Sequence, residues 1–78
     1  MAKSIYSAEQ ERLQELLRQL RVDAGLTQTD LALQLKKPQS FVSKYESGER
    51  RLDLVELQRI CEAVGTDLIR FVKRFVNS

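Results

Sequence analysis

The chain has 78 residues, of which 42% are hydrophobic and only 6% aromatic, so it supports one small domain with a largely aliphatic core. Its formal net charge is only +2, which does not by itself indicate a nucleic-acid partner. The single cysteine, Cys61, excludes an internal disulfide. Because the sequence has no histidine, it offers no plausible zinc site, and we expect neither a metal nor another cofactor.

The sequence carries no sign of export or membrane insertion. The N-terminal MAKSIY is too short and too polar for a signal peptide, and no apolar run approaches the length of a membrane span. A lone cysteine agrees with a reducing compartment. We therefore expect a soluble cytoplasmic protein that has no membrane partner.

Hydrophobic periodicity predicts five helices and no strand. Residues 1–6 are predicted to form a flexible arm, and residues 7–78 the folded domain. Ser7 has the features of the first N-cap, with Gln10 three positions later completing a capping box. Gly25 is predicted to end this helix. Its inward stripe comprises Leu13, Leu16, Leu17 and Leu20.

Two short helices are predicted next, separated by a tight turn. Thr27 is a good N-cap for the second helix, which is expected to end near Lys36. Pro38 suits the first turn of the third helix, where its missing N–H has no cost. Gly48 is predicted to be the left-handed residue of the loop that follows. The inward positions of these two helices are Leu31, Ala32, Leu35, Val42 and Tyr45.

The last two helices have their own boundary signals. Asp53 and Glu56 form a capping box for helix 4, Gly65 is predicted to close that helix, and Thr66 to cap helix 5, which is predicted to span residues 66–77. The core positions predicted for helix 4 are Leu54, Leu57, Ile60, Cys61 and Val64. The apolar positions of helix 5 are Leu68, Ile69, Phe71, Val72, Phe75 and Val76.

The predicted third helix presents side chains that suit DNA. Its outward positions are Gln39, Ser40, Ser43 and Lys44. These groups match base edges and phosphates, whereas none matches a catalytic role. Residues 36–51 also hold five basic residues against two acidic ones, so basicity is concentrated here. The alternative is that these are ordinary exposed residues of a solvated helix.

The segments AGLTQTDLALQL and SFVSKYESGERRLDLVEL resemble the helix-turn-helix family of the phage lambda repressor and Cro proteins, the XRE family. The resemblance covers roughly residues 16–71. It implies a compact all-α domain of five helices, lambda-repressor-like, with the helix-turn-helix at helices 2 and 3. Helix 3 would lie in the major groove, and helix 2 would cross above it and contact the DNA backbone.

The resemblance also implies roles for individual residues. Gln28, at the start of helix 2, would bind a phosphate, aided by free N–H groups and the helix dipole. Arg21 would pair with Glu46 and hold the recognition helix on the scaffold; the alternative is two separately solvated charges. The residues facing the bases would be Gln39, Ser40, Ser43 and Lys44.

The turn and the loop after helix 3 add basic residues. We predict that Lys37, Arg50 and Arg51 contact phosphates, although a basic pair in a loop can also serve solubility alone. Many family members have glycine and then an apolar residue where this chain has Lys36 and Lys37. A left-handed lysine costs about 1 kcal/mol relative to glycine, so the turn either differs or tolerates strain.

Three further positions have two possible interpretations each. Phe41 either packs on the turn, which we favour, or touches a thymine methyl group. Tyr45 is predicted to be a core residue rather than a stacking platform, and Cys61 an inert buried thiol rather than a redox centre. Helix 5 has more apolar surface than four helices can cover, which favours a dimer interface over pure core closure. The predicted interface residues are Leu68, Phe71, Val72, Phe75 and Val76.

These features together predict a sequence-specific DNA-binding transcriptional regulator, acting as a homodimeric repressor on a pseudo-palindrome. Activation through contact with polymerase remains open, and no small-molecule ligand is expected. The alternative is an antitoxin or protein-partner adaptor in which DNA binding is secondary. An enzyme is not expected, because the sequence lacks histidine, a glycine-rich phosphate loop and a paired nucleophile and base.

Overall fold

The computed structural model describes residues 2–77, with side chains from Ala8 onward, so residue 1 of the predicted arm and residue 78 lie outside the described part. The described residues form five helices and no strand, which confirms the predicted all-α fold. None of these helices is long and apolar enough to cross a membrane. The helices are α1 (Ala2–Asp23), α2 (Gln28–Leu35), α3 (Gln39–Ser47), α4 (Leu54–Ala63) and α5 (Leu68–Val76).

Helix α1 begins earlier than the sequence predicted. It starts at Ala2, so Ser7 lies inside the helix instead of capping it, and the predicted arm is helical from its second residue. The segment from Ala2 to Ser7 contains neither glycine nor proline. Because adding residues to an existing helix costs less than nucleating a new one, the helix extends through this segment.

Helices α2 and α4 begin with complete capping boxes. The Thr27 hydroxyl accepts a hydrogen bond from the Asp30 N–H at 3.0 Å, and the Asp30 carboxylate accepts one from the Thr27 N–H at 3.0 Å. Asp53 and Glu56 repeat this exchange at 2.8 and 3.0 Å. Both predicted N-caps are thus confirmed, and the free amides at each helix start are satisfied.

The start of α5 differs by one residue from the prediction. Asp67, rather than Thr66, is the N-cap, and its carboxylate accepts a hydrogen bond from the Arg70 N–H at 2.9 Å. An acidic cap also interacts favourably with the positive end of the helix dipole, which explains the preference. Gly65 lies just beyond the end of α4 with φ of +88°, as predicted for a left-handed closing residue.

All five helices contribute to one core, and α3 contributes most. Phe41, Val42 and Tyr45 of α3 are buried, and the rings of Phe41 and Tyr45 meet edge to face with centroids 5.5 Å apart. Phe41 therefore packs in the protein, as favoured. Burial raises the pKa of Cys61 to about 11, so its thiol stays protonated. The complete core is Leu17, Leu31, Ala32, Phe41, Val42, Tyr45, Ile60, Cys61 and Phe71.

Two predictions about the apolar faces of α4 and α5 are wrong. Leu54, the first residue of α4, is exposed. Phe71 is only 3% exposed and belongs to the core, so it is not available for a dimer contact. Leu68 and Phe75 lie on the same side of α5 and pack against the core. The outward face of α5 instead carries the exposed side chains Ile69, Val72 and Val76.

Candidate nucleic-acid interface

The turn between α2 and α3 adopts a left-handed conformation without glycine. Lys36 has φ of 58° and ψ of 43°. Its N–H donates to the Leu33 carbonyl at 3.2 Å, and the Lys37 N–H donates to the Ala32 carbonyl at 3.0 Å. These two bonds make a Schellman motif, which satisfies the last carbonyls of α2. The chain therefore accepts the strain of about 1 kcal/mol at Lys36 and keeps a tight turn.

Helix α3 begins immediately after this turn. Pro38 is its N-cap, in extended conformation with φ of −68°, so the proline lies just before the helix instead of in its first turn. The Pro38 carbonyl accepts a hydrogen bond from the Phe41 N–H at 2.9 Å. Pro38 has no side-chain hydrogen bond to the helix start. The exposed Gln39 and Ser40 thus occupy the first two positions of α3.

A bidentate ion pair joins α1 to α3. The Arg21 guanidinium donates to both carboxylate oxygens of Glu46, at 2.8 and 3.0 Å, and also to the Leu26 carbonyl at 2.9 Å. The two side chains are only 11% and 5% exposed. Hydrogen bonding to Glu46 raises the pKa of Arg21 above its ordinary value. This pair fixes α3 to the scaffold at the end opposite to Gln39.

Two glutamines extend the ion pair to the start of α3. The Gln28 amide Nε2 donates to Glu46 Oε1 at 3.0 Å, and the Gln39 Nε2 donates to Gln28 Oε1 at 2.7 Å. We call the resulting chain of Arg21, Glu46, Gln28 and Gln39 the polar relay. Each amide nitrogen carries two hydrogens, so both glutamines keep one donor after making these bonds. The relay therefore orients Gln39 while leaving part of its amide available.

The other predicted base-facing residues lie on the same side of α3 as Gln39. Ser40 and Lys44 are exposed and Ser43 is half-buried. At helical spacing they share the face opposite to Val42 and Tyr45, whose side chains are buried. The structure thus places small polar and basic groups along the outer surface of α3.

Arg50, which we predicted to contact phosphate, is paired within the protein. Its guanidinium donates to both carboxylate oxygens of Glu56, at 2.8 and 3.0 Å, and lies 4.7 Å from the centre of the Phe41 ring. The Lys37 ammonium is 5.5 Å from the same ring. Hydrogen bonding to Arg50, aided by the Asp53 N–H, lowers the pKa of Glu56 to about 2. Arg50 therefore braces α3 against α4, because its charge is already paired.

Arg51 is the next residue in the chain, but its surroundings differ from those of Arg50. Its side chain is exposed and borders a shallow groove together with Glu9, Gln10 and Phe75. The Arg51 guanidinium makes no hydrogen bond or ion pair with the described residues, so Arg51 is the more accessible member of the basic pair.

Sequence reasoning missed two residues that support this surface. Glu56 was recognised as a helix cap, but its pairing with Arg50 depends on the path of the loop, which has no sequence signal. Gln14 of α1 donates to the Glu46 carbonyl at 3.2 Å. The space beside Gly48 is tight as well, because a Cβ there would lie 2.8 Å from the Gln14 Nε2 atom, and φ at Gly48 is +89°.

Comparison with known proteins identifies the family. A helix-turn-helix family model matches residues 17–71. A solved structure of an XRE-family like protein from Pseudomonas syringae pv. tomato str. DC3000 is 42% identical, with a TM-score of 0.89 over 97% of this chain and 93% of that one. No curated protein sequence matches the chain.

Two further solved structures share the fold. The clp gene regulator ClgR from C. glutamicum is 26% identical, with a TM-score of 0.78 over 90% of each chain. The restriction-modification controller protein C.Esp1396I, solved as a tetramer with its natural 35 base-pair operator, is 20% identical, with a TM-score of 0.79 over 88% of this chain and 91% of that one. The chain therefore belongs to the XRE family of helix-turn-helix proteins.

Proposed function

We propose that this protein is a sequence-specific DNA-binding transcriptional regulator, acting as a dimeric repressor on a pseudo-palindromic operator. The observation that carries the proposal is the polar relay, which holds the exposed amide of Gln39 in one orientation at the first turn of α3. A fixed amide supports base recognition, because a freely rotating one would lose side-chain entropy on binding.

Base recognition would begin at Gln39. Its remaining amide donor and its carbonyl oxygen complement the N7 and N6 groups that adenine presents in the major groove. Ser40, Ser43 and Lys44 lie on the same face and would contact neighbouring base edges. Each well-formed bidentate contact contributes about 1–3 kcal/mol of discrimination between bases.

Phosphate contacts would fix the orientation of the protein on DNA. Gln28 keeps one amide donor at the N-terminus of α2, where the helix dipole favours an anion. Lys37 and Arg51 are exposed on the two connections that flank α3, one before it and one after it. Such contacts carry little sequence information but supply much of the affinity.

We propose that dimerisation uses the outward face of α5. Ile69, Val72 and Val76 follow helical spacing and remain exposed in the monomer, which supports a two-fold contact between copies. Leu68, Phe71 and Phe75 hold α5 against its own domain from the other side. Two recognition helices would then lie about one DNA turn, roughly 34 Å, apart.

We propose that this repressor acts by occupying a promoter and that it works in the cytoplasm. To test the proposal, we would select bound duplexes from a random pool and measure affinity for the winners and for scrambled sequences. The expected result is a palindromic consensus bound at least a thousandfold more tightly than scrambled DNA. Equal affinity for all duplexes would contradict sequence-specific regulation.

The dimer has its own test. Val72→Glu places a charge in the centre of the proposed contact and is expected to give a folded monomer with weaker operator binding. Val22→Glu, the same change at a comparably exposed valine of α1, serves as the matched control. Sedimentation equilibrium checks both, and a parent protein that is monomeric at all concentrations used for DNA binding would rule out the dimer.

A further inference from the structure

The Phe41 ring brings together three charged groups from three parts of the chain. Arg50, in the loop after α3, lies over the ring at 4.7 Å, and Lys37, in the turn before α3, is 5.5 Å from its centre. The Glu56 carboxylate of α4 joins this group through its two hydrogen bonds to Arg50. A carboxylate is therefore held among cations beside the recognition helix.

The end of the Arg50 guanidinium formed by its Nη1 and Nη2 atoms is engaged. Its Nη1 atom donates to Glu56 Oε1 at 3.0 Å and to the Arg51 carbonyl at 3.1 Å, and its Nη2 atom donates to Glu56 Oε2 at 2.8 Å. The guanidinium carbon also lies 4.7 Å from the centre of the Phe41 ring. A phosphate would have to displace Glu56 to form a bidentate contact with these two nitrogens.

Glu56 is itself fixed in place. As the third residue of α4 it accepts a hydrogen bond from the Asp53 N–H at 3.0 Å, so its position is set by the helix cap. Its side chain is 19% exposed, against 40% for Arg50. The carboxylate is therefore the anchored partner of the pair, and the arginine is the partner that could move.

We propose that Glu56 limits the affinity of this protein for the DNA backbone by neutralising Arg50 and holding its Nη1 and Nη2 atoms, so that Arg50 adds little to phosphate binding while Glu56 is charged. The inference rests on the proposed DNA-binding function and concerns the strength of non-specific binding. Glu56 acts through Arg50, so it is a positioning residue. Its effect is to keep binding to random DNA weaker than the number of basic residues around α3 predicts.

The test is Glu56→Gln, measured as affinity for a random duplex across a range of salt concentrations. Glutamine keeps the helix cap, because it serves at the third position of a capping box as well as glutamate does. With its charge no longer neutralised, Arg50 is expected to bind phosphate. One added phosphate contact steepens the plot of log affinity against log salt by about 0.9, a roughly tenfold gain at 100 mM salt.

Two further variants make the result specific. Glu62→Gln removes one negative charge from an exposed position on the same helix and is expected to leave the slope unchanged. Arg50→Gln combined with Glu56→Gln removes the pair without changing the net charge, and it should keep the slope of the parent. Thermal unfolding of each variant shows that it is folded.

The outcomes separate this inference from the proposed function. A parent protein that binds no duplex overturns the proposed function itself. A parent that binds DNA, with an equal or shallower slope for Glu56→Gln, overturns the inference alone. A slope lowered by about one in the double variant also overturns it, because Arg50 would then already contact phosphate in the parent.

Discussion

Two bidentate ion pairs lie on either side of α3, and they differ in burial. Arg21 and Glu46 are 11% and 5% exposed, whereas Arg50 and Glu56 are 40% and 19% exposed. Charges withdrawn from water are costly to leave unpaired, whereas solvent screens an exposed pair. The first pair therefore secures the orientation of α3, and the second mainly determines which charges remain available to DNA.

The largest expected effect comes from breaking the buried pair. Glu46→Ala leaves Arg21 charged without a partner, so we expect the free energy of unfolding to fall by about 3–5 kcal/mol. Urea denaturation measures this loss. Glu15→Ala, which removes the exposed pair with Arg18, is the control and should cost less than about 0.5 kcal/mol. A loss below about 1 kcal/mol for Glu46→Ala would mean that the pair is solvated in solution.

The second largest effect is expected at Gln39, whose side chain is oriented by the polar relay. Gln39→Ala is expected to relax the preference for one base pair in each half-site by about 1–3 kcal/mol. Gln28→Ala should blunt the same preference, because it removes the hydrogen bond that orients Gln39, and should also weaken binding to all sequences. Titrations with duplexes altered at single positions separate the two effects.

Gln34→Ala provides the matched control for these glutamines, because Gln34 is exposed on α2 and lies outside the polar relay. It should leave the base preference unchanged. If Gln28→Ala kept full discrimination, the relay would play no part in recognition.

Next to the more exposed ion pair, in the loop after α3, Arg51 is the residue expected to bind phosphate. Arg51→Ala should weaken binding to all sequences, roughly tenfold at 100 mM salt, and lower the salt slope by about 0.9. Affinity measured at several salt concentrations provides the slope. Arg18→Ala, on the outer surface of α1, should leave it unchanged. An unaltered slope for Arg51→Ala would place this residue away from the DNA.

The smallest effect is a pH dependence of the second pair. The pKa of Glu56 is lowered from 4.5 to about 2, so the stability that the pair contributes is present above pH 4.5. It is lost as pH falls toward 2, because protonation removes the charge. The difference in Tm between the parent and Glu56→Gln should therefore narrow from pH 5 to pH 2. A constant difference over this range would show that the charge of Glu56 adds no stability.

Local signals predicted much of this fold, and tertiary contacts account for the errors. Thr27 and Asp53 were identified as N-caps because such signals are local: Thr27 is a residue type that caps helices, and Asp53 has a glutamate three positions later. The inward and outward faces of α5 were not distinguished from the sequence, because apolar residues cover nearly half of the helix circumference. Periodicity does not say which part of that surface meets the core. Phe71 was therefore assigned to the wrong face.

In the candidate site, too, local features were predictable from the sequence and tertiary contacts were not. The resemblance to a known family supplied Arg21 and Glu46, which lie 25 positions apart and have no local signal. The partner of Arg50 depends on how the loop after α3 folds back to α4, so neither composition nor spacing indicated Glu56. The residues predicted to face DNA lie on the outer surface of α3, and the hydrogen bond between Gln28 and Gln39 was not predictable.

The left-handed Lys36 has a consequence for the DNA. A strained residue persists only where its surroundings determine its conformation, so the turn acts as a rigid elbow between α2 and α3. In the dimer that we propose, two such elbows would leave each recognition helix little freedom to adjust its angle to the DNA. Any misfit must then be absorbed by the duplex, and we expect operators to be selected partly for the flexibility of base pairs that the protein never touches.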